Sequence, residues 1–177
     1  MSRGLFVGRF QPFHLGHIAT IMYALEKVEE LIIVIGSSQK SHEMRNPFTA
    51  GERILMIQQS LRSEKGIDIG RMLVIPVADA NSHPLWTYHL DNMVPRYELV
   101  FSNDSLTSLL YKERGIIVIQ PPLHRREELS GTEIRSRIAH DQDWKKLVTS
   151  QTARLIDEIH GVERIKAIFV KDTGFGQ

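Results

Sequence analysis

Apolar residues along this chain recur in two rhythms, and the switching between them outlines a fold. Leu5-Phe6-Val7 is a short apolar run bounded by glycines, and after a loop Ile18, Ile21, Met22 and Leu25 recur at helical spacing. Leu31 to Ile35 is then an unbroken, mostly β-branched run ending at Gly36, the pattern of a parallel strand covered on both faces. One strand–helix–strand unit is therefore complete by Gly36. Thr49 and Glu52 form a capping box that opens a helix carrying Ile54, Met56, Ile57 and Leu61. The alternation continues with a strand at 72–77, a helix at 84–93, a strand at 98–101, a helix at 105–113 and a strand at 116–119. Such alternation predicts an α/β fold, a Rossmann-like doubly wound parallel sheet of about five strands.

Beyond Ser130 the strand signals become few. Ser130 and Glu133 make a second capping box, and helical patterns run through Ile138, around Leu147 and from Ala153 to Ile159. The stretch from Thr173 to Gln177 is expected to fray. No repeat, low-complexity tract or linker divides the chain. The expectation is one domain over residues 1–177, with an α/β sheet portion at 1–129 and a helical C-terminal portion at 130–177.

Composition narrows the chemistry. With 42% hydrophobic and 24% charged residues the chain has the make-up of an ordered globular protein. Its net charge of +1, from 22 basic and 21 acidic side chains, gives no bulk attraction for nucleic acid or membrane, so neither is expected as a partner and any anion site must be local. The absence of cysteine excludes thiolate nucleophiles, disulfides and Cys-ligated metals. The longest apolar runs fall far below the roughly 18 residues of a membrane-spanning helix. The first residues lack the pattern of an export signal, and a cytoplasmic location is expected.

The densest candidate chemistry lies between the first strand and its helix, in Gly8-Arg9-Phe10-Gln11-Pro12-Phe13-His14-Leu15-Gly16-His17. This is neither a dinucleotide fingerprint nor a P-loop. His14 and His17 stand three apart where the helix begins, so both imidazoles can project beside its anion-attracting N-terminus. Gly16 lets the backbone approach a ligand closely, and Arg9 adds a fixed charge. A histidine at a helix start is on its own more often a cap than a ligand, and a lone His pair is a weak metal signal. Clustering of Arg, His, Gly and His at the carboxyl end of the first strand, where α/β sheets bind ligands, favours a phosphate cradle.

The segment G-R-F-Q-P-F-H-x-G-H resembles the H-x-G-H motif of the nucleotidyltransferase superfamily, and Ser130-Gly131-Thr132-Glu133-Ile134-Arg135 resembles its second motif. Gly36-Ser37-Ser38-Gln39, Asn46 to Arg53, Trp86 and Gly161-Val162-Glu163-Arg164 are similar to segments of the archaeal nicotinamide-nucleotide adenylyltransferases. The resemblance implies transfer of AMP from ATP to nicotinamide mononucleotide, giving NAD+ and pyrophosphate, with Mg2+ accompanying the ATP phosphates. It implies catalytic roles for His17, His14 and Arg9, with ATP and its phosphates held by Gly8, Arg9, Phe13, His14, Gly16, His17, Arg45, Ser130, Gly131, Thr132 and Arg135. Asp79 and Trp86 would bind the nicotinamide nucleotide, the indole stacking on its ring. Read without the resemblance, Ser130 is a helix cap, Arg45 a solvated loop charge, Asp79 an N-cap or turn residue, and Trp86 at least as readily a core aromatic as a ligand-binding one. Members of the family assemble into homo-oligomers, often hexamers. The chain departs from the family at His83, where Asn is frequent, and at Ser102-Asn103-Asp104, where Ser/Thr-Gly-Asn is usual. Asn103 and Asp104 are assigned no role. Two other readings remain: the same chemistry on phosphopantetheine or FMN, and a non-catalytic nucleotide-sensing module.

Overall fold

The computed structural model describes residues 2–80, 82–122, 125 and 127–174. Five parallel strands, β1 (Arg3–Gly8), β2 (Glu30–Ile35), β3 (Met72–Pro76), β4 (Leu99–Phe101) and β5 (Ile117–Ile119), form one sheet in the order β3-β2-β1-β4-β5. Between and after them come α1 (Leu15–Leu25), α2 (Ala50–Ser63), α3 (His83–Met93), α4 (Ser105–Glu113), α5 (Gly131–Ala139), α6 (Ser150–Glu158) and α7 (Gly161–Gly174), with single 3-10 turns at Ile69–Arg71 and Lys145–Leu147. This is the doubly wound α/β arrangement that the alternating pattern predicts.

Strand periodicity explains how one sheet carries two cores. On one face Leu5, Ile32, Val34 and Val100 meet Leu90 of α3 and Tyr111 of α4. On the other, Phe6, Leu31, Ile33, Ile35 and Phe101 pack against buried residues of α1, α2, α5, α6 and α7. Every apolar residue of β2 from Leu31 to Ile35 is fully buried, as a strand with both faces covered requires. The second core cluster extends to the helical C-terminal portion through Ile134, Ile138, Ile156 and Ile165.

Several local expectations are corrected. Met22 is 46% exposed, because the buried arc of α1 runs through Ile18, Ile21 and Ala24 and Met22 lies one residue, about 100°, round from Ile21. The Ser130 capping box is half-built: Ser130 Oγ accepts from Glu133 N–H at 3.1 Å, but the Glu133 carboxylate turns to Arg137 at 2.7 Å. Thr173 and Gly174 continue α7 rather than fraying, and Phe175–Gln177 lie outside the described residues. The start of α7 is anchored: Arg164 makes a two-point pair with Glu52, at 2.7 and 2.8 Å, and donates to Pro47 O. Glu52 also completes the capping box of α2, so α7 is tied to the segment that opens that helix. Among the described residues no helix is long and apolar enough to cross a membrane.

Gly4 has no room for a side chain, since a Cβ there would lie 2.6 Å from the ring of the fully buried Phe101. Gly4→Val is expected to lower stability by about 1–3 kcal/mol, read as a reduced urea midpoint with an unchanged m-value.

Candidate active site

Strand β1 lies between β2 and β4, so the chain winds outward in both directions from it, and the loops leaving the carboxyl ends of β1 and β4 flank the switch point. The first loop is not held by regular secondary structure. It contains a cis Gln11-Pro12 bond, and Phe10 takes a left-handed backbone with φ of 53°. Buried polar contacts fix it instead. The Gln11 side-chain amide donates to Phe48 O and accepts from Phe48 N–H, both at 2.9 Å, pairing the loop with the segment before α2.

Arg53 completes this frame. Its side chain is fully buried, and it donates to Thr49 O at 3.2 Å, Arg9 O at 3.0 Å, Gly36 O at 2.9 Å and Ser37 O at 3.1 Å. It thus joins the loop after β1 to the loop after β2, where Ser37 also has a positive φ of 49°. Burial, then the neighbouring Arg9 charge, lowers its pKa to about 10, against the pull of Asp79 and Glu52, and it stays cationic at neutral pH.

His14 is the N-cap of α1 and His17 its third residue, and their rings stack with centroids 3.6 Å apart. Phe13 stacks on the outer side of His17 at 5.3 Å and Phe10 meets it edge-on at 4.7 Å. Burial lowers the His14 pKa to about 4, and burial together with the His14 charge holds His17 well below its ordinary value. Both imidazoles are therefore neutral at pH 7. His17 Nδ1 accepts from His14 N–H at 3.1 Å, so the neutral ring carries its proton on Nε2. His14 Nδ1 is buried without a partner. Gly16 makes the stack possible, because a Cβ there would meet the His14 ring at 3.1 Å.

The two sequence motifs, more than a hundred residues apart, meet here. Arg135 of α5 is 6% exposed and donates to Gln11 O at 2.8 Å and to Thr132 Oγ1 at 3.3 Å. Gly131 allows the approach, since a Cβ there would lie 2.9 Å from Gln11 O and 3.0 Å from the Arg135 guanidinium. Burial, then the charges of Arg9 and Arg45, lower the Arg135 pKa to about 10. Arg135, Arg9 and Arg45 have no carboxylate within ion-pair distance among the described residues. Three arginines that repel one another and lack counter-ions form a site for a polyanion.

Arg9 and Arg45 line a cleft of about 790 Å³ together with Gly8, Ser37, Asp79 and Trp86. A smaller hollow of about 180 Å³, sharing Val7 and Gly8 with the cleft, is lined by His14, Gly16, His17 and Leu129. Asp79 accepts from Ser37 Oγ at 2.9 Å and Gln39 Nε2 at 3.2 Å and pairs with Lys40 at 3.2 Å; burial raises its pKa, but these partners outweigh it and the net shift is downward. Trp86 has two surroundings: its ring meets buried Tyr111 edge-on at 6.3 Å, and it also lines the cleft. Phe13 is fully buried, so it supports His17 rather than facing a ligand. Ser130 and Thr132 use their oxygens within α5 as acceptors. His83 has its side chain outside the described set.

Sequence reasoning missed Gln11 and Arg53 as parts of this frame. A signal for Arg53 was present: it occupies the same stripe of α2 as Met56, Ile57 and Ser60, all buried. A cation on an apolar stripe must find buried acceptors. It also left Asn103 and Asp104 without roles. Asn103 donates its side-chain amide to Pro121 O at 3.0 Å, and Asp104 is the N-cap of α4, accepting from Thr107 N–H at 2.7 Å.

A parallel doubly wound sheet with H-x-G-H and a distant arginine motif converging at its switch point defines a nucleotidyltransferase, and residues 5–137 match the family described as cytidylyltransferase-like. The chain is 44% identical over 175 residues, 99% of both chains, to the nicotinamide-nucleotide adenylyltransferase of Methanolobus tindarius. It is 46% identical over 172 residues, 97% of this chain and all of the other, to that of Methanocorpusculum labreanum. The chain belongs to the nicotinamide-nucleotide adenylyltransferase family. Among solved structures it superposes, at a TM-score of 0.72 and 24% identity, on a bifunctional NMN adenylyltransferase/ADP ribose pyrophosphatase from Francisella tularensis complexed with AMP and a manganese ion. That match covers 96% of this chain and 56% of the bifunctional protein, so the chain spans little more than half its length. A nicotinic acid mononucleotide adenylyltransferase from Plasmodium falciparum, complexed with NaAD, superposes with a TM-score of 0.60 at 14% identity, covering 92% of this chain and 97% of the other. These two likenesses are of fold.

Two outcomes follow from the geometry. Because His14 binds its proton more weakly folded than unfolded, its contribution is full above the unfolded pKa of 6.5 and is lost as pH falls toward about 4. Urea unfolding is expected to show a stability loss of about 2 kcal/mol between about pH 7.5 and pH 5, diminished in His14→Asn. Arg53→Lys replaces a planar fork with one ammonium, strands buried carbonyls and is expected to cost about 2–3 kcal/mol in the same measurement.

Proposed function

We propose that the chain, acting as one nucleotidyltransferase domain in the cytoplasm, transfers AMP from ATP to nicotinamide mononucleotide, giving NAD+ and pyrophosphate. The observation that carries this reading is the convergence of Arg135, Arg9 and Arg45, cations without counter-ions, beside the neutral pair His14 and His17. The acceptor phosphate, with a second pKa near 6, is largely dianionic at neutral pH and needs no general base. Its oxygen bonds to the α-phosphorus of ATP as the bond from that phosphorus to the bridging oxygen of pyrophosphate breaks. Negative charge then grows on the nonbridging and leaving oxygens, where fixed donors act most strongly. The neutral His17, with its proton on Nε2, suits this task; His14 stacks against it, and Arg9 stands on the loop that leads into both.

In this reading Arg45, Arg135, Ser130, Thr132 and the backbone at Gly8, Gly16 and Gly131 hold the triphosphate. Phe13 enters only by supporting the His17 ring. Mg2+ arrives as part of the ATP substrate. Trp86 and Asp79 lie in the same cleft as Arg9 and Arg45, and the indole's free surface fits a flat, cationic pyridine ring. That aromatic wall favours a pyridine nucleotide over phosphopantetheine as acceptor. What supports a homo-oligomer, with a hexamer the form the family resemblance implies, is the exposure of Leu85, Tyr88 and Leu109 on α3 and α4.

The test is pyrophosphate release by purified protein with ATP, Mg2+ and a panel of acceptors including nicotinamide mononucleotide, FMN and phosphopantetheine. Release is expected with the pyridine nucleotide, and none with any acceptor would overturn the reading. His17→Ala is expected to lower kcat about a hundredfold or more while ATP affinity changes little. Equal losses in both would remove its assigned role.

A further inference from the structure

Among the described residues α7 adds none to the lining of the cleft, yet its first turn grips the segment that forms one of the cleft's walls. That wall is a tight hairpin. Glu43 N–H donates to Asn46 O at 3.3 Å and Asn46 N–H to Glu43 O at 3.0 Å, so Met44 and Arg45 stand at the tip, and the Asn46 amide donates to the Glu43 carboxylate at 2.6 Å. Glu43, Arg45 and Asn46 all line the cleft. One step toward the foot of the hairpin, His42 N–H donates to Pro47 O at 3.4 Å, and His42 takes a left-handed backbone with φ of 58°, which needs such a restraint. Pro47 O is the same atom that accepts from Arg164 Nη1 at 3.1 Å.

Arg164 holds this carbonyl from a fixed seat. Its guanidinium makes a two-point pair with Glu52 at 2.7 and 2.8 Å, both side chains being largely buried, and Glu52 in turn accepts from Thr49 N–H at 2.8 Å, two residues beyond Pro47. The helix start lies close against Phe48, since a Cβ on Gly161 would stand 3.0 Å from that ring, and the Arg164 guanidinium is 6.0 Å from the ring's centroid. Arg45 itself is exposed and has no carboxylate within ion-pair distance among the described residues, so the backbone beneath it sets where its charge sits. Resting on the reading above that Arg45 holds the triphosphate, we propose that Arg164 is a positioning residue. From α7 it fixes the foot of the hairpin and thereby places the Arg45 charge for the phosphates. Affinity in the cleft is thus set in part by a helix that lines none of it.

The experiment measures the Kd of ATP with Mg2+ by calorimetry, without acceptor, and the melting temperature, for the wild type, Arg164→Met, Arg45→Ala and the double variant. Each single substitution is expected to weaken ATP binding about tenfold. The double variant is expected to bind no more weakly than Arg45→Ala alone, because a displaced hairpin cannot matter once its arginine is gone. The loss of melting temperature from Arg164→Met is expected to be the same in both backgrounds, which separates positioning from plain stability. Should Arg164→Met fail to fold, Arg164→Lys, which keeps a cation for Glu52 but lacks the fork that also reaches Pro47 O, enters the same cycle. An unchanged Kd in Arg164→Met beside a weakened one in Arg45→Ala overturns the inference and leaves Arg45 as a phosphate contact. A full tenfold loss from Arg164→Met on top of Arg45→Ala overturns it as well. A Kd for Arg45→Ala equal to that of the wild type overturns the phosphate reading of Arg45, and the inference with it.

Discussion

The loops that form the cleft depend on one buried guanidinium. Arg53 spends its donors on four backbone carbonyls from three segments: Arg9 after β1, Gly36 and Ser37 after β2, and Thr49 at the head of its own helix. A lysine could not do this, because four acceptors spread around a plane need a planar fork. The carbonyls of Arg9, Gly36 and Ser37 flank or belong to Phe10 and Ser37, whose positive φ is unfavourable for a side chain. Unfavourable local backbone is thus maintained by long-range hydrogen bonds, and the positions of Arg9 and Ser37 at the cleft follow from it. Gln11 gives the same kind of restraint from the other side, its amide matched to Phe48 and its carbonyl to Arg135.

Charge is distributed with a division of labour. The histidines are packed in aromatic surroundings that keep them neutral, so they offer directed N–H groups without adding to the local repulsion. The positive charge is concentrated on arginines, which burial does not discharge at neutral pH. An almost neutral chain therefore holds a strongly cationic locality, with Asp79 and Lys40 compensating each other further along the cleft.

Periodicity was enough to read the fold, because β2 and the apolar stripe of α2 express their burial directly in residue type. It was enough to place the first motif at a strand end, and the resemblance linked it to the second. What periodicity could not express are contacts at long sequence separation: Gln11 with Phe48, Arg135 with Gln11, Arg164 with Glu52. Each involves a polar side chain whose partner is a backbone group or a charge brought close only by the packed sheet. Trp86 was ambiguous for a different reason. One residue type serves both core and cleft, and the structure gives it both.

The unpaired arginines have a consequence for the protein as a material. The charges of Arg9 and Arg45 bear on Arg135, and among the described residues no carboxylate stands within ion-pair distance of the three. Any polyanion that enters supplies the counter-ions the chain itself omits, and by linkage the folded state becomes more stable in proportion to how tightly it is held. In that sense the fold is finished by its cargo: part of the electrostatic cohesion that other proteins write into their own acidic residues is here left to be imported.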